Sequence, residues 1–172
     1  MNDIIRNVDI ALLTPFEDHP FKLRDGEELE ELMTSIKKNN IIEPLIVRPF
    51  SSGSKYEVIS GHRRLDALKR LGIKEAPVII KDLSDEEAIM MMVDSNLKRE
   101  NILPSEKAFA YKMKLEAFRR QDKYGLTLSQ LGTNRYDAYV AKQLGIGKET
   151  LHRYIRLTYL IPELLKMVDD GN

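Results

Sequence analysis

Two arginines stand side by side just after a glycine that ends an apolar run, in Val58-Ile59-Ser60-Gly61-His62-Arg63-Arg64. Leucines at 65, 68 and 71 then take helical spacing, so the arginines fall where a strand becomes a helix. A glycine there lets another molecule approach the backbone, and the free N–H groups of a starting helix favour an anion. Arginines in a first turn oppose the helix dipole, a small cost that a bound anion would reverse in sign. The residues alone leave a second reading open, a surface helix start whose arginines pair with acids elsewhere in the chain.

A second constellation lies at about 137–157, in "AYVAKQLGIGKETLHRYIRL". A helix-turn-helix needs a small residue where its helices meet, a turn glycine able to take positive φ, and apolar residues locking the second helix. Ala141, Gly145 and Leu151 fit those roles, with Val140, Leu144, Ile146 and Tyr154 around them. The second helix would then turn Lys148, Glu149, Thr150, His152, Arg153 and Arg156 outward, where a major groove could receive them. Glu149 would repel phosphate, so in a groove it would read a cytosine amino group or orient a neighbouring cation. His152 is as well read as a core or surface histidine as a DNA contact. The plain alternative is a helical hairpin with a basic face.

Charge distribution supports the second constellation. The 172 residues have a net charge of zero, yet residues 1–97 hold 13 Lys and Arg against 18 Asp and Glu, and residues 98–172 hold 14 against 9. Within 107–156 the counts are 11 and 4, which suggests that only the C-terminal part meets a polyanion. The absence of cysteine removes disulfides, thiolate zinc sites and cysteine nucleophiles together. His19, His62 and His152 are too scattered to suggest a histidine metal site. The opening residues carry early charges and no long apolar run, so neither a signal peptide nor a membrane anchor is expected, and a cytoplasmic location follows.

The elements that position these residues follow from pattern. Asp25-Gly26-Glu27-Glu28 reads as a capping box that opens a helix with Leu29, Leu32, Met33 and Ile36 on one face. Residues 44–50 and 55–60 read as strands joined by a turn at 51–54, and Gly72 as the residue after a helix end. Residues 76–83 read as a third strand, and Ser84-Asp85-Glu86-Glu87 as a second capping box opening a helix to about Asn96. Met90, Met91 and Met92 read as core filler. From Pro104 a long basic helix is expected, then a turn-rich connection at 124–138 and short helices. The fold class is α+β: a small α/β domain over 1–97 and an all-helical domain over 98–172.

The order of motifs resembles the ParB family of partition proteins. "GHRRLDA" at 61–67 is similar to the family's "GERRxRA" box, and "SNLKRENILPSEKAFAY" at 95–111 to its "ENxQRExLxPxExAxAY" box. "VAKQLGIGKETLHRYIRLTYLIPELLKMV" is similar to the helix-turn-helix that follows. The resemblance runs from about Asp25 onward and implies a ParB- and sulfiredoxin-like N-terminal domain. It further implies a DNA clamp in which CTP and Mg²⁺ bind that domain, and parS-type, palindromic, centromere-like double-stranded DNA triggers closure. Carried onto this chain, Gly61, His62, Arg63 and Arg64 fall in the triphosphate box and Ser95, Asn96 and Arg99 in the second box. Asn96 is the metal candidate, while His19, Phe21 and 44–48 lie where the family completes its pocket. A homodimer, a ParA-type ATPase partner and a nucleoid-associated location are implied as well.

Three departures stand out. His62 and Ser95 replace the glutamates of the two boxes, the carboxylates wanted for metal holding and water activation. At most a slow CTPase is therefore expected, and no catalytic residue is assigned. The chain also ends at "DDGN", without the family's C-terminal dimerisation domain. Two alternatives remain: a helix-turn-helix transcription regulator with a non-functional nucleotide pocket, and a nucleotide-dependent kinase or nuclease on the same scaffold. The enzyme would need a substitute carboxylate, for which Glu57, Asp66 and Asp94 are nearest in sequence. Sulfiredoxin chemistry is excluded for want of a cysteine.

Overall fold

Leu45 and Val47 alternate with partly exposed neighbours, and both are fully buried at the centre of a five-stranded sheet. The structure, a computed structural model, describes residues 4–22, 25–50, 53–99, 101–122 and 133–171. The expected turn at 51–54 lies partly, and the connection at 124–138 largely, outside the described residues. The strands are β1 (Ile5–Asp9), β2 (Leu13–Pro15), β3 (Leu45–Pro49), β4 (Tyr56–Ser60) and β5 (Glu75–Ile80), in the order β1-β5-β3-β4-β2. β1 pairs antiparallel with β5, β5 parallel with β3, β3 antiparallel with β4, and β4 parallel with β2.

This order forces curvature. β1 and β2 occupy opposite edges, yet only the single 3₁₀ turn Ile10–Leu12 separates them in sequence. Flat, the outer strands of such a sheet would stand about 19 Å apart. Four extended Cα steps cover at most about 14 Å, so the sheet must curl until its edges approach. Asp9 accepts the Ala11 N–H at 2.8 Å and the Ile10 N–H reaches the Lys74 carbonyl at 2.8 Å, fixing the crossing.

Helices α1 (Glu27–Asn39) and α2 (His62–Arg70) complete this first unit. Leu29 and Ile36 of α1 and Leu65 and Leu68 of α2 are buried with Leu45, Val47, Val58 and Val78 in one core. Gly72 has φ 69° and ends α2 with paired bonds, Gly72 N–H to the Lys69 carbonyl and Ile73 N–H to the Leu68 carbonyl. The expected Asp25 cap does not form. Gly26 occupies the N-cap without a side-chain bond, and the Asp25 carboxylate instead meets Arg70 of α2 at 2.7 Å.

The chain divides into compact units at Met1–Leu83 and Ser84–Asn172. The sequence suggested a division after residue 97. Within the second unit α3 (Asp85–Asn96) packs along α4 (Pro104–Asp122). The second unit continues with α5 (Thr133–Gln143), α6 (Lys148–Leu157) and α7 (Pro162–Asp169). Ser84 forms the expected capping box with Glu87. Of the methionines expected as core filler, Met92 is fully buried, while Met90 and Met91 are half-buried. Asp169, at the end of α7, accepts the Ser105 N–H at 2.8 Å and its hydroxyl at 2.5 Å, so the last helix is tied to the start of α4. Among the described residues no helix is long and apolar enough to cross a membrane.

Candidate functional site

In the first unit β4 ends at Ser60, and Gly61 turns the chain into α2 with φ 103°, a left-handed conformation that suits glycine. A Cβ there would lie 3.0 Å from Leu45 Cγ and 3.5 Å from the Arg64 guanidinium, so the position is closed to larger residues. The first helical bond runs from the Leu65 N–H to the Gly61 carbonyl. The N–H groups of residues 62–64 therefore have no acceptor within the helix.

The two arginines differ. Arg64 donates through one nitrogen to the carbonyls of Glu43 and Pro44, the latter at 3.1 Å, and lies 3.6 Å from the Glu43 carboxylate. Burial lowers its pKa and the Glu43 charge partly offsets the effect. Arg64 thus clamps the segment leading into β3. Arg63 is more open and pairs with Glu28 of α1 at 3.0 Å.

His62 is a buried hydrogen-bond acceptor. Its Nε2 receives the Phe16 N–H at 3.3 Å, and its ring lies 3.9 Å from that of His19, centroid to centroid. Burial, reinforced by His19 and only partly opposed by a backbone bond at Val58, pushes its pKa from 6.5 down to about 3. The residue in the glutamate's position is therefore a neutral imidazole at ordinary pH. His19 Nδ1 donates to the Phe21 carbonyl at 2.8 Å. Phe21 itself is 2 % exposed and serves as packing rather than as an open stacking surface. Gly61, His62, Arg64 and Leu45 thus form one locality, with His19 and Phe21 held to it through His62.

Of the family's remaining pocket region, Arg48 faces Glu57 across β3 and β4 and binds its carboxylate at 2.7 Å and 2.6 Å. In the second unit Ser95 Oγ and Asn96 Nδ2 both donate to the Met92 carbonyl at 2.9 Å, which fixes the end of α3. The Arg99 N–H caps the Asn96 carbonyl at 3.0 Å. The three substitute carboxylates are all engaged: Glu57 by Arg48, Asp66 by Arg70 at 3.0 Å, and Asp94 by Lys114. Among the described residues no group of three or more His, Asp or Glu side chains could hold a metal. A triphosphate fits the glycine, the amides and Arg63. The described residues offer a Mg²⁺ ion no carboxylate cage, so among them it would depend on oxygens of the triphosphate itself.

Elsewhere in the second unit, α5 and α6 are joined through residues 144–147. Gly145 has φ 70°, with Gly145 N–H bonded to the Lys142 carbonyl and Ile146 N–H to that of Ala141. Val140, Ala141 and Leu151 are buried in a core with Tyr111 and Leu115, and Tyr154 packs edge-on to Tyr111 at 5.2 Å. Glu149, Arg153 and Arg156 are exposed, while Lys148 and Thr150 are half-buried. Thr150 Oγ1 accepts from Arg153 at 3.3 Å.

His152 is exposed on α6, as expected, and also has a partner on α5. Its Nε2 lies 2.7 Å from Asp137 Oδ2, and Arg119 donates to Asp137 Oδ1 at 2.6 Å. Burial alone would raise the Asp137 pKa, but the bonds from His152 and Arg119 outweigh it and hold the carboxyl below its usual range. Sequence reasoning missed Asp137, because a lone acid in a basic segment carries no periodic signal. It joins α4, α5 and α6 through side chains far apart in sequence.

Residues 1–97 match the ParB N-terminal domain family. The chain is 34 % identical over 162 residues to chromosome-partitioning protein Spo0J of Thermus thermophilus, covering 94 % of this chain and 54 % of that one. It is also 34 % identical over 160 residues to the nucleoid occlusion protein of a Geobacillus species, covering 93 % and 51 %. The chain therefore spans about half the length of these relatives. Among solved structures, C-terminally truncated ParB of Caulobacter crescentus complexed with CTP-gamma-S superposes with a TM-score of 0.51 at 25 % identity, over 97 % of this chain and 85 % of that one.

Proposed function

Since the chain belongs to the ParB N-terminal domain family, we propose that it is a partition-type DNA-binding protein whose first unit binds CTP and whose second unit reads a palindromic, centromere-like site. The observation that carries this reading is Arg63, an accessible guanidinium at the start of α2 beside Gly61 and three amides without helical acceptors. That arrangement suits a triphosphate, and the Caulobacter relative was crystallised with a CTP analogue.

α5 and α6 act as a helix-turn-helix, with α6 as the recognition helix. Its exposed Arg153 and Arg156 supply base and phosphate contacts, Glu149 aligns them, and Lys148 and Thr150 flank the entry. His152 positions α6 through Asp137 rather than touching a base. Two half-sites require two recognition helices, so the working form is a homodimer on a nucleoid, in the cytoplasm, served by a ParA-type ATPase. Hydrolysis is slow or absent, because His62 is a buried neutral acceptor and Glu57, Asp66 and Asp94 are committed to cations.

One observation favours a second reading, a DNA-binding regulator that leaves its pocket empty: both arginines of the box already face carboxylates. Calorimetric titration of CTP in Mg²⁺, with ATP and GTP as controls and with and without candidate centromere DNA, separates the two. Selective CTP binding that changes with DNA is the expected result, and no nucleotide binding by folded protein would leave only the regulator. On the DNA side, Arg153→Ala should weaken binding to the cognate site by about 1–3 kcal/mol if Arg153 reads a base. A uniform loss on all DNA would make it a phosphate contact instead.

A further inference from the structure

We propose that Glu28 is a built-in competitor for the anion-binding guanidinium of Arg63, so that ligand entry exchanges one anion for another and frees the start of α1. The inference rests on the reading of Arg63 as a phosphate ligand and specifies how that site is regulated.

The pair is made to be exchanged. Glu28 lies in the first turn of α1, its side chain is 65 % exposed, and its carboxylate is 3.0 Å from a terminal nitrogen of Arg63, itself 30 % exposed. A carboxylate and a phosphate oxygen compete for the same planar donors. An ion pair this open to water shifts an equilibrium only a few-fold, so a multiply charged ligand can displace it. Arg64 is built differently. Its carboxylate partner, Glu43, is farther away at 3.6 Å, and its guanidinium also holds the backbone carbonyls of Glu43 and Pro44. Freeing Arg64 would strip backbone acceptors, whereas among the described residues freeing Arg63 gives up only the pair with Glu28. The exchange therefore occurs at Arg63.

It has a structural consequence. Among the described residues two ion pairs join the entry to α1 to α2, Glu28 with Arg63 and Asp25 with Arg70. A ligand on Arg63 removes the first, so occupancy of the pocket loosens the N-terminal turn of α1. Acids at a helix start also serve the helix dipole, and Glu27 and Glu30 share that turn. Glu30→Gln, which removes the same charge from the same turn, is therefore the proper control.

The test titrates CTP with Mg²⁺, and separately inorganic tripolyphosphate, into the wild-type protein, Glu28→Gln and Glu30→Gln by calorimetry, with thermal melts confirming the fold. Glu28→Gln is expected to bind both probes about 2- to 5-fold more tightly than wild type, the range an exposed ion pair supports, with Glu30→Gln changing by less than half as much. Equal effects of the two substitutions, or weaker binding by Glu28→Gln, overturn the proposal while leaving nucleotide binding intact. Tighter tripolyphosphate binding by Glu28→Gln without any CTP binding upholds the exchange and removes the nucleotide. Absence of binding for both probes in every variant overturns both.

Discussion

Arg63→Ala is expected to lower CTP affinity by about 100-fold, corresponding to the loss of roughly 3 kcal/mol of charge-assisted hydrogen bonding. Thermal stability should change little, because among the described residues the side chain makes only the pair with the exposed Glu28. Binding to DNA without nucleotide should also be unaffected, since the exposed basic residues of α6 belong to the other unit. Arg64→Ala is the informative companion. It should lose both affinity and stability, because it releases the carbonyls of Glu43 and Pro44 as well. If Arg63→Ala weakens nucleotide and DNA binding equally, no separate phosphate site exists.

The second large effect concerns acid. His62 is held neutral in the fold with a pKa near 3, against 6.5 for the free side chain. Below pH 6.5 the unfolded chain takes up a proton there that the folded chain refuses, so stability falls as the pH drops through 6.5 toward 3 and is unaffected above that window. The slope approaches 1.4 kcal/mol per pH unit, amounting to about 2 kcal/mol by pH 5 and about 4 kcal/mol by pH 3.5. His62→Gln keeps an acceptor for the Phe16 N–H but cannot be protonated. Urea unfolding at pH 7, 6, 5 and 4 should show the variant losing stability less steeply than wild type by nearly one proton. Parallel curves would mean that acid acts through other groups.

Some of this architecture was legible in the chain itself. β3, β4 and β5 announce themselves as short apolar runs, and Gly72 and Gly145 sit where helices must stop in a left-handed residue. Ser84 and Glu87 make the capping box their spacing foretells. β1 and β2 were not legible. "IRNVD" leaves Ile5 exposed and buries none of its residues fully, because an edge strand packs little, and "LTP" is too short to carry alternation. Asp25 illustrates a tertiary override, in which a plausible cap was drawn to Arg70 on another helix. The same limitation applies to the candidate site. Gly61, Arg63 and Arg64 could be picked out from type and spacing, but not the difference between the arginines. That difference comes from Glu28, Glu43 and Pro44, which only folding brings near. His62 looked like a lost carboxylate, and its partner at Phe16 was invisible for the same reason.

The curl of the sheet has a consequence for the chain's first fifteen residues. Within that short span the polypeptide supplies the outer strand at both margins of the sheet, β1 beside β5 and β2 beside β4. Removing it would strip two templates at once, leaving unpaired backbone donors and acceptors along β5 and β4 for another molecule's strand to adopt. These opening residues therefore act as a selvedge: they keep the sheet from fraying into its neighbours, and their loss should appear as aggregation before it appears as any failure to recognise a ligand.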